Sequence, residues 1–504
     1  MLPHAGDEVT GPLVAQVGRF AARAIDARKI DRAAAIPREV LSGLAELGLF
    51  GLTLPEEFGG SGCSLATACS VVAELARVDR SVAVTLGLHL GLGTRGLVAF
   101  GTPAQHERYL PELASGACLA AFATTEPGAG SDLSTLQTHA KDTGSALLLN
   151  GQKIYVTNGG LAGLYTLAVS TPGLGGSARG QSLLLIERGD AGLHVEPEEH
   201  KLGLKGSSTT GLVLDSMLLP YGRVLGEAGG GARALGIILS WGRTLMSAGC
   251  CGAARAALDK LALHLANRRQ FGRPLAALEV VREQVALLTA RAFAMEALVD
   301  EASRQDAEAL QLRSLAAKIF ASESAWAIVD GAIQLHGGLG FIEDTGLALM
   351  LRDVRVTRIF EGANDVLLAH LGASELLKAP LRAPLATDPA SVPDTALASV
   401  SAEADALALQ VDALRQSLHA RFRIGVFRQP RWLHRLGAAC MWREAIDAAL
   451  RRARTSARAD EVAQVSLLTQ EARAEVRALS AEPPARDLIE LCLREKLPPP
   501  EVRS

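Results

Sequence analysis

The 504-residue sequence lacks an excess of charge of either sign and lacks a long uninterrupted apolar run. Its 51 lysines and arginines nearly balance its 54 aspartates and glutamates, so the net charge is −3. A protein that coats nucleic acid would need a basic excess, so we expect no nucleic-acid partner. The longest uncharged run, 154–178, is broken by Asn158, by glycines and by Pro172. This composition predicts no membrane span.

Patterned cysteines and several common catalytic motifs are also missing. The seven cysteines form no Cys-x-x-Cys pair and no Cys/His cluster with zinc spacing, so we expect no metal site. Their odd, unpatterned number fits a reducing compartment, and the first residues lack the apolar core of a secretory signal. We therefore expect a cytoplasmic location. A P-loop, a Gly-x-Ser-x-Gly elbow, a His-Glu-x-x-His motif and the kinase motifs are absent, which argues against those enzyme classes.

Hydrophobic periodicity divides the chain into helical and β segments. A helical spacing, as at Val40, Leu44 and Leu47, dominates the first part of the chain. Short alternating runs bounded by Gly, Asn and Pro then predict a β domain, after which helical patterns return on both sides of a Pro-rich linker. We expect a mostly α fold with a central β domain, divided into a helical domain (1–118), a β domain (119–226), a second helical domain (227–377), a linker (378–395) and a helical extension (396–504).

Two stretches of the predicted β domain have residues suited to binding a polar or planar ligand. In the first, Thr124, Thr125 and Ser131 supply hydroxyls beside glycines that let backbone N–H groups approach a ligand closely. In the second, Tyr155 and Thr157 lie two residues apart on a predicted strand and so share one face. Taken singly, the first is more often a surface loop and the second an ordinary half-buried strand.

Three stretches of the second helical domain are candidates as well. Arg268 ends a predicted helix, where a positive charge either complements the helix dipole or clamps a pyrophosphate. Gly337 and Gly338 break a helix where the backbone must pass close to another helix or to a ligand. Glu361 follows two apolar residues, and desolvation there would raise its pKa toward that of a useful base. The alternative for Glu361 is a solvated residue at a helix end.

The five stretches, in this order and on this α–β–α layout, resemble the acyl-CoA dehydrogenase family over about residues 15–377. Within the family the sequence is most similar to the very-long-chain branch. The phrase RIFEGANDV around Glu361, the stretch 85–116 and the helical C-terminal extension indicate that branch. The resemblance implies an N-terminal helical domain, a middle β-barrel and a C-terminal four-helix bundle, with FAD held between barrel and bundle.

The resemblance also implies roles for individual residues. Glu361 is the implied catalytic base, which removes the α-proton while the β-hydrogen leaves as a hydride to FAD. The implied FAD contacts within one subunit are Phe122, Thr124, Thr125, Ser131, Tyr155, Thr157 and Asp365. The implied contacts with the FAD of a neighbouring subunit are Arg268, Phe271, Gln334, Gly337 and Gly338. The implied substrate contacts are Ser131, Arg243 on the pantetheine arm, Gly362, and Gly93 and Gly96, which would leave the bottom of the acyl cavity open.

Three positions bear on how closely the family pattern is kept. Tyr155 stands where the family usually has Trp, and Ala363 stands where it usually has Thr or Ser. Some branches place the base directly before the position of Arg243, but here that residue is Gly242, which cannot serve. Glu361 is therefore the unopposed candidate for the base.

The implied function is dehydrogenation of a long-chain fatty acyl-CoA to the trans-2-enoyl-CoA, the first step of β-oxidation, with electrons passing to an electron-transfer flavoprotein. The resemblance implies a homodimer, and the short linker lacks the amphipathic segment that would give stable membrane association. The alternatives are the same chemistry on an unusual or carrier-bound acyl thioester, an oxidase that reacts with oxygen, and a non-catalytic scaffold. An intact Glu361 and intact FAD stretches argue against the scaffold.

Overall fold

The computed structural model describes residues 10–176, 180–378 and 395–483. Within these ranges the chain forms a helical domain, a β-sheet domain, a helical bundle and a further group of helices, in that order. The prediction of a mostly α fold with a central β domain and a helical extension is confirmed. All but the two end residues of the predicted linker 378–395, and the part of the extension after residue 483, lie outside the described residues.

The described part of the N-terminal domain is helical throughout. Its helices are α1 (Thr10–Ala24), α2 (Ala27–Ala33), α3 (Arg38–Glu46), α4 (Leu65–Val78), α5 (Arg80–Leu88), α6 (Arg95–Phe100) and α7 (Pro103–Ser115). Asp79 ends α4, and its carboxylate caps α5 by accepting a 2.8 Å hydrogen bond from the backbone N–H of Val82. The chain therefore turns sharply between two buried helices. A π-helical turn, His89–Gly93, joins α5 to α6.

The middle domain is built on one sheet. Its strands are β1 (Ala120–Ala123), β2 (His139–Asp142), β3 (Leu147–Thr157), β4 (Leu164–Ser170), β5 (Gln181–Glu187), β6 (Leu193–Glu198), β7 (Thr209–Leu219) and β8 (Val224–Leu225). The strand order is β6-β7-β3-β2-β4-β5-β8, and β1 pairs with β4 in parallel. Both faces of β4 and β5 are buried, which explains why these strands are apolar runs rather than alternating ones.

The bundle and the extension pack tightly on each other. The bundle contains α8 (Gly231–Asn267), the hairpin strands β9 (Arg269–Gln270) and β10 (Arg273–Pro274), α9 (Glu279–Ser303), α10 (Ala307–His336), α11 (Leu347–Arg355) and α12 (Asn364–Leu377), and the extension contains α13 (Thr395–Phe422), α14 (Pro430–Ser456) and α15 (Ala459–Ser480). Helices α12 and α14 cross at Gly372 and Gly437, where any side chain would meet the backbone of the other helix. Beside this crossing, Arg443 forms a buried 2.8 Å ion pair with Glu375.

Two helical segments of the described chain are long and apolar enough to cross a bilayer by length and composition, Arg80–Phe100 and Gly231–Asn267. Buried residues make up 72% and 67% of their most apolar windows. Their apolar side chains are therefore accounted for by packing in the protein core, where helices of this composition are common.

Candidate active site

A cavity of about 420 Å³ lies where α4, α5, α8 and the segment between α11 and α12 meet the edge of the sheet. Most of its walls are apolar. Helix α8 contributes Gly242, Leu245, Met246, Gly249, Cys250 and Ala253, and the N-terminal helices contribute Val72, Ala76, Ala83, Val84, Gly87, Leu88 and Leu92. A largely apolar cleft bordered by a few polar groups is typical of a small-molecule site.

Glu361 is the acidic group at one end of this cavity. It lies between α11 and α12 with a φ of +56°, and Gly362 follows with a φ of +102°. A non-glycine residue in this region is strained, and such strain is concentrated at functional sites. The Glu361 Oε2 atom is inaccessible to solvent and accepts no hydrogen bond from the described residues. Burial raises the pKa of Glu361 to about 7, although the positive charges of Arg243 and Lys318 oppose this rise.

The strained loop around Glu361 is held from two sides. From α8, the Nε atom of Arg243 donates a 3.1 Å hydrogen bond to the Glu361 carbonyl oxygen. From α10, the fully buried Lys318 Nζ donates 2.7 Å hydrogen bonds to the Gly362 carbonyl oxygen and to Asn364 Oδ1. Burial lowers the pKa of Lys318 to about 8, against the attraction of Glu361. Charged donors make strong hydrogen bonds, so these contacts fix the position of the carboxylate.

Asn364 completes this support, and sequence reasoning found neither Asn364 nor Lys318. The Nδ2 atom of Asn364 donates to Ser322 Oγ at 3.0 Å and to Glu323 Oε1 at 2.7 Å, both on α10. The available signal was a single lysine inside the apolar run that begins at Leu315. A lysine in a core helix is rare unless it is paired, so this position indicates a buried partner.

The β domain brings the predicted polar residues to the same cavity. Its contributions are Phe122, Thr124, Thr125, Ser131, Tyr155 and Thr157. The predicted alternation along β3 is broken by an irregularity between Lys153 and Val156 in the pairing with β7, where Tyr155 has a φ of +56°. This local kink leaves the Tyr155 ring 63% exposed. Tyr155 and Thr157 therefore reach the cavity from a bulged strand rather than from one face of a regular strand.

A buried ion pair fixes the loop that carries Thr124 and Thr125. Lys153 and Glu126 are both buried and their charged atoms lie 2.7 Å apart. The ammonium group of Lys153 also donates to the Thr124 carbonyl oxygen at 3.2 Å. Glu126 accepts hydrogen bonds from the backbone N–H groups of Gln137 and Thr138. Neither partner of this pair was identified from the sequence, because their pairing depends on the fold of the loop over β3.

A second group of predicted residues lies away from the cavity. Arg268 caps the end of α8 just before the β9–β10 hairpin, and Phe271 lies in the turn of that hairpin, where it is 88% exposed. Gln334, Gly337 and Gly338 are exposed at the end of α10. The rings of His264 and His336 stack with centroids 4.1 Å apart, so the ends of α8 and α10 lie together. Within one chain these five predicted residues form their own cluster and do not border the cavity that contains Glu361.

Asp365 also lies outside the cavity. Its side chain is 91% exposed, and one of its oxygens is 3.3 Å from Nε2 of His434 in the extension. Asp365 therefore does not border the cavity within one chain, and a cofactor contact at this residue stays a prediction. Its position in the first turn of α12 turns the carboxylate outward, where it complements the positive end of the helix dipole.

The structure corrects the prediction for Gly93 and Gly96. A side chain at Gly93 would place its Cβ 2.8 Å from the Cβ of Ala120, and one at Gly96 would lie 2.7 Å from Ile238. Both glycines serve close packing, and neither borders the cavity. The glycine that does border it on α5 is Gly87, where an added Cβ would have no neighbour closer than 3.7 Å. Gly93 ends the π-helical turn and Gly96 lies in α6, and the sequence alone does not say what either glycine contacts.

A second cavity of about 650 Å³ lies beside the first, and Leu239 borders both. Arg243 lies between them, because its side chain borders the second cavity and contacts the Glu361 backbone. The other polar residues around the second cavity are Ser134, Gln181, Glu308, Gln311 and His370. This space is suited to a ligand rich in amide or other polar groups. Among the described residues, no group of three or more His, Cys, Asp or Glu side chains is placed to hold a metal ion.

Three family models, all of acyl-CoA dehydrogenase domains, match this chain. The models for the N-terminal, middle and C-terminal domains of acyl-CoA dehydrogenases match residues 11–117, 121–217 and 229–376. The mitochondrial very long-chain specific acyl-CoA dehydrogenase of Bos taurus is 37% identical over 364 residues, which are 70% of this chain and 56% of that protein. The chain thus spans little more than half the length of the very long-chain relatives it matches.

In two further matches, the aligned region includes a larger share of the relative's length. An acyl-CoA dehydrogenase from Bacillus subtilis is 37% identical over 333 residues, which are 66% of this chain and 87% of that protein. A crystal structure of an acyl-CoA dehydrogenase complexed with FAD from Bacillus anthracis matches with a TM-score of 0.83 at 26% identity. That match covers 96% of this chain and 90% of the other, so it includes helices of the extension.

Proposed function

Because the chain belongs to the acyl-CoA dehydrogenase family, we propose that it is an FAD-dependent enzyme that converts a long-chain fatty acyl-CoA to the trans-2-enoyl-CoA. One observation carries the proposal. A strained, buried carboxylate, that of Glu361, has an unpaired oxygen and a pKa of about 7 at the end of an apolar cavity. A scaffold protein would have no need to keep such a group, whereas a general base near neutral pH requires it.

The residues present fit FAD at the sheet side of the cavity. The exposed Tyr155 ring offers an aromatic surface, and Thr124, Thr125 and Thr157 offer hydroxyls and backbone groups around it. An aromatic ring this exposed can stack against a planar ligand, and the cavity leaves room for one. When bound, FAD would supply the acceptor for the β-hydrogen of the substrate, which leaves as a hydride. The Lys153–Glu126 pair beneath the loop keeps these contacts in place.

Glu361 removes the α-proton of the thioester in this proposal. The proton is weakly acidic, so the base must be both unsolvated and close to its working pKa. Burial provides both conditions, and Arg243 and Lys318 keep the pKa near 7 by opposing that burial. The same two residues hold the strained loop, so the carboxylate does not have to reorganise when substrate enters. The backbone N–H of Glu361 is available to polarise the thioester carbonyl, as in an oxyanion hole.

The two cavities divide the substrate between them. The apolar cavity along α5 and α8 suits an acyl chain, since each buried methylene contributes about 0.8 kcal/mol. The second cavity, with Arg243, Gln311 and His370 around it, suits the amide-rich arm of the thioester. A carrier-bound acyl thioester has the same pantetheine arm and is the closest alternative substrate.

The exposed cluster of Arg268, Phe271, Gln334, Gly337 and Gly338 supports a homodimer, in which these residues reach the FAD of the other subunit. Such a dimer would also cover the exposed Phe271 ring. We further propose an electron-transfer flavoprotein as acceptor, with oxygen as the alternative. A cytoplasmic location without stable membrane association stays a prediction from the sequence.

An absorbance spectrum followed by anaerobic titration with acyl-CoAs of graded length tests the proposal. We expect a yellow dimer with one FAD per chain, whose flavin is bleached by long-chain substrates. A colourless protein that takes up no added FAD would contradict it. Rapid reoxidation of the bleached protein by air would favour the oxidase alternative, and a strong preference for carrier-bound substrates would change the substrate class.

A further inference from the structure

The acyl cavity has a defined direction between two antiparallel helices. Gly91 lies against Gly242, and four residues earlier Gly87 lies near Leu245, so α5 and α8 run in opposite directions along the cavity. At Gly242 an added Cβ would be 3.0 Å from Glu361 Oε2, which marks the reactive end. The wall then continues along α8 to Ala253.

The opposite end is closed by charged groups instead of apolar ones. Arg80, the first residue of α5, and Asp353 of α11 both border the cavity. Their side chains are 8% and 2% exposed, and Arg80 Nη2 lies 3.0 Å from Asp353 Oδ2. Arg80 also donates to the Val78 carbonyl oxygen at 3.3 Å, and Asp353 Oδ1 accepts from the Leu204 N–H at 2.7 Å. The pair is thus held by the surrounding backbone.

We propose that the Arg80–Asp353 ion pair is the floor of the acyl cavity and sets the longest acyl chain that the protein accepts. The inference rests on the proposed function and adds a specificity-determining pair to it. Both partners are buried and satisfied by each other, so a chain end cannot displace one without leaving the other charge unpaired in the interior. A terminal methyl group offers no hydrogen bond in return. The floor is therefore rigid toward an apolar chain.

The distance between the ends predicts that limit. From Gly242 to Ala253 the helix advances eleven residues, or about 16 Å at 1.5 Å per residue. Three single bonds of an extended polypeptide backbone span about 3.3–3.6 Å, and an extended acyl chain has a similar reach per bond, so about 14 bonds fit between the α-carbon and the floor. Acyl chains of about sixteen carbons are therefore expected to be the longest good substrates.

Two variants of the holoenzyme move the end of the cavity in opposite directions. Ala83 lies three residues after Arg80 on α5, about 4.5 Å closer to Glu361. The larger side chain of Ala83→Leu should occupy the cavity at that point and shorten the longest good substrate by about four carbons. The double variant R80M/D353N removes both charges, keeps an oxygen that can accept from the Leu204 N–H, and should extend the limit by about two carbons. Ala413→Leu, on an exposed position of α13, is the matched control.

The readout is the rate of flavin bleaching by acyl-CoAs from short to very long chains, with FAD content and melting temperature measured for each variant. A length profile that moves down in Ala83→Leu, and not in Ala413→Leu, supports the floor. An unchanged profile in Ala83→Leu overturns it while leaving the proposed function intact. A strong preference of the wild type for an ω-hydroxyacyl-CoA would overturn it too, because the pair would then recognise a polar chain end. Absence of bleaching at every length would instead contradict the proposed function itself.

Discussion

Replacing Lys318 with methionine should weaken the loop that carries Glu361 and move the activity of the enzyme to higher pH. Lys318 is the buried cation that donates two 2.7 Å hydrogen bonds to this loop, to Gly362 and to Asn364. Methionine keeps much of the length and the apolar stem of lysine but removes the charge and both donors. The substitution therefore tests the support of the base without touching Glu361 itself.

The expected magnitudes follow from those contacts. Each buried acceptor that loses its partner costs about 1–3 kcal/mol. The substitution leaves two acceptors without a partner but also removes the cost of burying the charge of Lys318. We therefore expect a net loss of folding stability of about 2–4 kcal/mol. The charge of Lys318 also lowers the pKa of Glu361 toward its present value of about 7. Its removal should raise that pKa by about one unit, or about 1.4 kcal/mol.

The pH dependence separates this role from a purely structural one. Glu361 acts as a base only when ionised, so the acidic limb of the flavin-reduction rate should move upward by about one pH unit in Lys318→Met. The difference from wild type should shrink above pH 8, because the pKa of Lys318 is about 8 and its charge is lost there. Arg243, the other cation facing Glu361, is unchanged in both proteins.

The assay is stopped-flow flavin reduction by a saturating long-chain acyl-CoA, measured across the pH range together with thermal unfolding. Lys29→Met, at an exposed lysine of α2, is the control for the loss of one positive charge. If Lys318→Met has the melting temperature and the pH profile of Lys29→Met, the argument that Lys318 positions and tunes Glu361 is wrong. A lower melting temperature with an unshifted pH profile would leave Lys318 a structural role only.

Three other changes have clear expected outcomes. Burial raises the pKa of Glu361 from 4.5 to about 7, so ionisation costs folded stability as pH rises through this window, and Glu361→Gln should be about 3 kcal/mol more stable than wild type at pH 8 and equal to it near pH 4 by chemical denaturation. Arg443 holds the pKa of Glu375 at about 2 against burial, so the stability from this pair is present above pH 4.5 and lost as pH falls toward 2. Arg443→Met should cost about 3–5 kcal/mol at neutral pH, and a variant as stable as wild type would contradict the role of the pair in docking the extension. Gly93→Ala should cost about 1–3 kcal/mol by overpacking and leave the chain-length profile of flavin bleaching unchanged, whereas a shift to shorter chains would restore Gly93 to the acyl cavity.

The sequence was enough to predict the order of the helical and β domains and several residues that border the main cavity. Glu361, Thr124 and Tyr155 are far apart in sequence, yet each stretch carries its own local signal, and the structure brings all three to one cavity. The raised pKa of Glu361 was also expected, because its apolar neighbours and the following glycine are visible in the sequence. Such features can be predicted from the sequence because they depend on a residue and its immediate neighbours along the chain.

The parts that sequence reasoning missed all depend on contacts between distant elements. Lys318 and Asn364 meet only when α10 packs beneath the loop before α12. The Arg80–Asp353 pair joins residues that are 273 positions apart. The family resemblance implied that Gly93 and Gly96 lie at the bottom of the acyl cavity, but only their packing on Ala120 and Ile238 reveals their role. No local pattern encodes which neighbour a face will meet, so these features required the fold.

Anaerobic titration of Glu361→Gln with a long-chain acyl-CoA tests the central claim most directly. The amide keeps the shape of the carboxylate but cannot accept the α-proton, so loss of this base should slow flavin bleaching by about two to four orders of magnitude. Binding should persist, visible as a perturbed flavin spectrum, because both cavities are intact. Bleaching at a rate close to that of wild type would contradict the account, since the base would then lie elsewhere than at Glu361.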